Sequence, residues 1–90
     1  MYKIESANSF KKDYKKAIKR GLDVKQLQKI VEFLEDSGSL PRKFNPHKLK
    51  GKYLGLWECH IQPDWLLIWS QEETIKLITL VRTGTHSDLF

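Results

Sequence analysis

Three strand-like runs, Leu56 to Gln62, Trp65 to Gln71 and Thr74 to Thr83, follow one another with only Pro63-Asp64 and Glu72-Glu73 between them. They are rich in Ile, Leu, Trp and Val, side chains that fit a pleated, half-buried surface. Gaps this short suit hairpins, so the second half of the chain is expected to form an antiparallel meander. The first half carries other periods. Tyr2 to Ser6 alternates apolar and polar residues, as a short strand does. Phe10, Tyr14, Ala17 and Ile18 then fall at i, i+4, i+7 and i+8 on one helical stripe, with Asn8 or Ser9 able to cap it and Gly21 to end it. Lys11, Lys12, Lys15, Lys16, Lys19 and Arg20 occupy the opposite side. Asp23 and Gln26 have capping-box spacing, and Val24, Leu27, Ile30, Val31 and Leu34 trace a second stripe up to Gly38. The sum is βααβββ: a small α+β fold, mainly antiparallel, with two helices packed on one face of the sheet.

No Pro/Gly/Ser-rich linker divides the 90 residues, which predicts one domain over residues 1–90. A chain of this length buries roughly 60–65% of its unfolded surface, so its core is thin and any active site should be an open groove. The lone Cys59 has no disulfide partner, and Met1 to Phe10 lacks the apolar stretch of a secretory signal; a reducing cytoplasm is the expected location. The longest apolar run, Trp65 to Trp69, is far short of the roughly 20 residues that cross a bilayer. Sixteen Lys and Arg against eleven Asp and Glu give a formal charge of +5, which favours a polyanionic partner, nucleic acid first.

Between Ser39 and Lys52 both periods dissolve into a basic loop holding Arg42, Lys43, Lys48, Lys50 and Lys52 around His47. Along the first late strand Trp57, Cys59 and Ile61 point one way and Glu58, His60 and Gln62 the other. His60 is therefore expected opposite the core, on a sheet face that the helices leave at least partly open. Trp57, Trp65 and Trp69 share odd parity, which puts at least two of them in the core. Cys59 has no activating neighbour and reads as a small buried hydrophobe. His47, His60 and His86 lie in loop, strand and tail without His-x-x-His or Cys-x-x-Cys spacing, so a zinc site built from them and Asp64 is disfavoured and no metal is assigned. Imidazoles can instead deprotonate a ribose 2′-OH and protonate a leaving 5′-oxygen, with Lys or Arg stabilising the phosphorane.

Three blocks carry a resemblance: His47-Lys48-Leu49-Lys50-Gly51, then Glu58-Cys59-His60-Ile61-Gln62-Pro63-Asp64-Trp65-Leu66-Leu67-Ile68, then Arg82-Thr83-Gly84-Thr85-His86-Ser87-Asp88-Leu89-Phe90. In this order and on this pattern of elements, the chain resembles the YafQ branch of the RelE superfamily over its whole length. The resemblance implies a type II toxin that acts as a ribosome-dependent mRNA interferase, without metal or other cofactor and by 2′-OH attack. It implies a cognate antitoxin as partner and, through that complex, operator DNA. The family's catalytic set falls on His47, His60, Asp64 and His86, with His60 or His86 as general base and the others for acid catalysis and orientation. Trp65 and Phe90 match further functional positions. The chain departs from the pattern at Lys48, where relatives often carry proline.

Lys48, Lys50 and Arg82 are the candidate phosphate contacts, because Lys and Arg fix a strand without reading its bases. Trp65 or Phe90 is expected to stack a base. An acidic, partly disordered antitoxin segment would be steered to the same basic rim. Two other classes share the fold or the charge. A ParE-like toxin acting on gyrase would leave the His47 and His60 blocks and the Arg82 to Phe90 tail without purpose. A non-catalytic RNA-binding module gives no reason for three histidines beside Asp64.

Overall fold

A computed structural model describes all residues from Met1 to Phe90. Strand β1 (Lys3–Ser6) leads into helices α1 (Asn8–Lys19) and α2 (Val24–Ser37). A 3₁₀ turn (Arg42–Phe44), a two-residue strand β2 (His47–Lys48) and a second 3₁₀ turn (Gly51–Tyr53) follow. Strands β3 (Trp57–Gln62), β4 (Trp65–Glu72) and β5 (Leu77–Gly84) complete the sheet, and a short helix α3 (His86–Leu89) follows it. The sheet order is β1-β5-β4-β3-β2, antiparallel except for the parallel β1–β5 pair. The expected α+β architecture with both helices on one face is present, and β2 and α3 add to it. No helix is long and apolar enough to cross a membrane.

The helical stripes bury as their spacing dictates. Phe10, Ala17, Leu27, Ile30 and Leu34 meet Cys59, Ile61, Trp65, Leu67, Trp69, Ile78 and Leu80 in the main core. Ile18 does not join them and is 52% exposed, because the residue after Ala17 is turned about 100° from it around the helix axis. Neither expected residue caps α1. Ala7 holds the cap position, while the Ser9 hydroxyl donates to the Val81 carbonyl and ties the helix to β5. Asp23 does cap α2, through Lys25 N–H, but Gln26 pairs with Gln62 instead of closing the box. Gly38 ends α2 in the left-handed region at φ 70°, and the Tyr2 ring packs where a side chain on it would lie.

The second sheet face is less open than strand parity suggests. Leu66 and Ile68 point away from the helices yet are fully buried, under Tyr53 and Leu89. The segment from Leu49 to Leu56 and helix α3 build this second, smaller core, anchored by a 2.9 Å hydrogen bond from the Tyr53 hydroxyl to the Leu89 carbonyl. Two bulges interrupt parity. One lies between His60 and Gln62, so that Gln62 pairs with Trp65 and turns to the helix side, where its Nε2 donates to Gln26 Oε1 at 2.9 Å. The other lies opposite Ile68 and Trp69 and leaves Val81 as the extra residue. The last hairpin needs a four-residue turn, Glu73 to Lys76, so β5 starts at Leu77 rather than Thr74.

Trp65 is a core residue, not a stacking platform. It is 2% exposed, and its indole N–H donates to Thr83 Oγ1 at 3.0 Å. Thr83 in turn donates to the Leu66 carbonyl at 2.7 Å. Trp65→Ala is expected to lower the unfolding free energy by about 3–5 kcal/mol. Trp65→Phe, which loses mainly the indole N–H, should cost less. Urea denaturation of both variants checks this, and a loss under about 1 kcal/mol for the alanine variant would return the ring to the surface.

Candidate active site

Three separate elements bring the histidines into one row. His47 comes from β2, His60 from β3 and His86 from the first turn of α3. The His47 and His60 ring centroids are 6.2 Å apart, those of His60 and His86 5.9 Å, and the Phe90 ring extends the row 6.5 Å beyond His86. Pairing of β2 with β3, His47 opposite Glu58, makes the first of these approaches possible. The second depends on the path of α3. Its cap residue Thr85 accepts from Asp88 N–H, and Asp88 accepts from Thr85 N–H, a closed capping box.

Each imidazole has an acceptor at Nδ1. For His86 it is Asp64 Oδ1 at 2.7 Å, and the same oxygen accepts from the His86 backbone N–H at 2.9 Å. The two His86 groups, backbone first, hold the Asp64 carboxyl below its ordinary value. For His60 the acceptor is the Pro63 carbonyl at 3.3 Å, and for His47 it is the Asn45 carbonyl at 2.7 Å. A carbonyl or an ionised carboxylate only accepts, so Nδ1 carries the proton in each ring and Nε2 is left for other work in His60 and His86. His47 differs. Its Nε2 lies 3.1 Å from Glu58 Oε1, so both of its nitrogens face acceptors.

Glu58 is the site residue that strand-by-strand reading misses. It is 4% exposed, and its Oε2 has no hydrogen-bond partner. Burying a lone polar carboxyl is costly unless a partner answers it, and the His47 ring is the group in reach. The signal in the sequence is Glu58's shared parity with His60. It becomes readable only when His47 is recognised as a strand residue rather than part of a loop. Burial, and secondarily the Glu58 charge, push the Cys59 thiol up to about 12, which fits a packing role.

The expected phosphate contacts divide. Lys48 and Lys50 are exposed, with Lys48 Nζ 5.6 Å from the Trp57 ring centroid. Arg82 is committed inside the fold: its Nε and Nη2 reach the Asp13 carboxylate at 2.6 and 3.2 Å, and Asp13 also accepts from Thr83 N–H at 3.1 Å. It joins α1 to β5 rather than lining a rim. Phe90 is 59% exposed and stands edge-on to Tyr53 at 5.3 Å, so it remains available to stack.

Helix α1 also holds the tail. Arg20 Nη1 and Nη2 reach Asp88 at 2.5 and 3.1 Å, and a Cβ on Gly84 would come within 2.8 Å of Asp88 Oδ2. Only glycine leaves that space. The Arg20 guanidinium, and after it the Thr85 N–H, hold the Asp88 carboxyl far below the usual carboxylate range.

A five-stranded α+β sheet carrying a row of three imidazoles, half-buried at His47 and His60 and exposed at His86, belongs with a class, the small toxins of bacterial type II toxin–antitoxin systems. Residues 2–90 match the family described as "Bacterial toxin of type II toxin-antitoxin system, YafQ". The chain belongs to the YafQ family. It is 38% identical over 88 residues to the mRNA interferase toxin YafQ of Escherichia coli K12, covering 97% of this chain and 94% of that one. Among solved structures, a metal-bound toxin from Helicobacter pylori superposes with a TM-score of 0.90 at 40% identity, covering both chains fully. YafQ in the E. coli DinJ–YafQ toxin–antitoxin complex superposes at 0.88 with 36% identity, covering 99% of this chain and 97% of that one. In this chain no group of three or more His, Cys, Asp or Glu side chains is arranged to hold an ion.

Asp64 and Asp88 fix the acid behaviour of the tail. Both carboxyls lie below their unfolded values, so their contribution is whole above about pH 4 and is lost as the pH falls from there through the folded-state values. The urea midpoint is expected to hold down to about pH 5 and to drop below about pH 4. Asp88→Asn should be less stable near neutrality with a shallower acid limb. An acid limb identical to that of the parent would mean that the Arg20–Asp88 pair does not hold α3.

Proposed function

We propose that this chain is a ribosome-dependent endoribonuclease that cuts messenger RNA by metal-independent acid–base catalysis and so halts translation. The observation that carries this reading is the row His47–His60–His86, three imidazoles about 6 Å apart, each oriented by an acceptor on Nδ1. His86 Nε2, with Nδ1–H held by Asp64, is the general base that takes the ribose 2′ proton. The 2′-oxygen attacks the adjacent phosphorus, and the 5′-oxygen leaves with a proton from His60 Nε2. The products are a 2′,3′-cyclic phosphate and a free 5′-hydroxyl, and exchange with water restores both rings. His47, held by Glu58 through Nε2, supports the phosphorane together with Lys48 and Lys50. Phe90 offers a face for one flanking base.

The curated name of the E. coli relative, an mRNA interferase toxin, supports the reaction class. The DinJ–YafQ complex supports a cognate antitoxin as partner; contact with operator DNA through such a pair is part of the proposal. Action on translating ribosomes places the protein in the cytoplasm, working as one domain over residues 1–90. A gyrase-directed toxin or a passive RNA-binding module would have no use for oriented imidazoles.

Expression without a partner is expected to arrest growth and translation. His86→Ala and His60→Ala should each slow cutting by about 10²- to 10⁴-fold, with circular dichroism unchanged. Full toxicity from both folded variants would sink the assignment. Glu58→Gln, which keeps an acceptor for His47 but removes its counter-charge, should lose activity without losing the cut position.

Cutting should also persist on ribosomes stalled with a codon in the decoding site when free magnesium is replaced by polyamines and the minimum structural magnesium. Activity that returns only with added zinc or manganese would refute the acid–base reading.

A further inference from the structure

Beside the histidine row lies a hollow that no step above uses. It encloses about 470 Å³, lined by Lys43, Phe44 and Asn45 on one side and by His60, Ile61, Gln62 and Pro63 on the other. It exists because β2 pairs only with Trp57 and Glu58, so no strand continues along β3 from Cys59 to Gln62. The 3₁₀ turn stands across that bare edge. We propose that this hollow is the nucleobase subsite of the nuclease, which takes one unstacked base of the single-stranded substrate next to the scissile phosphate and sets the preferred cutting sequence.

This rests on the nuclease reading and deepens it. His60, the proposed acid, is shared between the catalytic row and the hollow, so a base seated there belongs to a nucleotide at the cleavage position. Phe44 supplies a half-buried aromatic wall, steadied by Phe33 at 6.3 Å, and Lys43 Nζ lies 5.1 Å from its centroid. An aromatic face with a nearby cation is the usual platform for a splayed base in single-stranded RNA. Two amides offer polar readout. The Gln62 amide is fixed by donating from Nε2 to Gln26, which commits Oε1 to acceptor duty. Asn45 is exposed, and its backbone is held at φ 51° and ψ 53°, just before Pro46, with its carbonyl on His47 Nδ1. A left-handed non-glycine residue before proline is a costly conformation. It lets one residue orient a catalytic ring through its backbone while its side-chain amide stays available to a base edge.

The test maps message 5′ ends in a translating extract for the parent chain, Asn45→Gly and Phe44→Leu. Glycine accepts the left-handed backbone, so the His47 contact survives and only the amide is lost. Leucine keeps apolar packing on Phe33 but removes the flat face. Asn45→Gly is expected to flatten the base preference at one position beside the cut. Phe44→Leu should lower kcat/KM by about 5- to 150-fold, chiefly through KM, the range for losing one base stack. A preference unchanged in Asn45→Gly overturns the subsite, as does a uniform loss of rate with preference intact, which makes both residues structural supports. A parent chain that cuts nothing overturns the nuclease reading as well.

Discussion

Because Trp65, Leu66, Leu67, Ile68 and Trp69 are all buried, β4 needs apolar cover on both faces of the sheet, and the two long helices supply it on one face only. The other face is covered by what the chain has left, the Leu49–Leu56 segment and α3. Those two pieces flank the elements that carry the three histidines. Leu89 is pinned under the Tyr53 hydroxyl, so α3 starts where His86 can reach Asp64, and the preceding loop returns to pair His47 with Glu58. The site is thus assembled by the same burial that closes the second core. Loosening Leu66 or Ile68 should misplace a histidine before it unfolds the sheet, since the main core does not depend on either side chain.

Electrostatics completes the assembly with two acid–base pairs that share a helix. Asp13 and Arg20, both on or next to α1, hold Arg82 on β5 and Asp88 in α3. Asp13 is mostly buried and also receives the Thr83 N–H, so removing it strands a guanidinium and a backbone donor together. Arg20 is more exposed, and its value lies in direction: it fixes the carboxylate that caps α3. One face of α1 therefore enters the core while its edges set the tail that carries His86 and Phe90.

Much of this is legible in residues alone. The 3.6-residue stripes of Phe10 to Ala17 and Val24 to Leu34, and the odd parity of Trp57, Trp65 and Trp69, fix two helices over one sheet face without reference to a structure. What escapes is non-local. A two-residue strand such as His47–Lys48 has no periodicity, and Glu58, the partner of His47, is eleven residues away. The five-residue run in β4 reads equally as alternation in large side chains or as double burial, because a short apolar run does not separate the two. The bulge at His60 to Gln62 reverses Gln62 with no glycine or proline within the strand to announce it. Arg82 and Trp65 sit inside family motifs, yet one is spent on Asp13 and the other on Thr83. A motif locates a residue in a site without saying whether it touches substrate or holds what does.

The fate of the arginines bears on how the site would work. A net charge of +5 suggests abundant cations for a phosphorane, but Arg20 and Arg82 are tied to carboxylates, and most lysines of α1 face solvent on the helix side. The exposed cations of the loop around the histidines include Lys48, Lys50 and, in the hollow beside His60, Lys43; Lys48 lies against Trp57 and Lys43 against Phe44. On the proposed reading such a site has proton-transfer groups in good order but, with Arg42 the only arginine outside an ion pair, limited bidentate grip on a phosphate, so it would orient a loose strand poorly. Holding the substrate in an attack geometry is worth several kcal/mol of barrier, far more than a few exposed lysines supply. The missing orientation has to come from whatever presents the RNA. Under the proposed ribosome dependence, the message would arrive already splayed and immobilised in the decoding site, and the chain would bring the imidazoles, an aromatic face at Phe90 and, beside His60, the hollow walled by Phe44 and Asn45.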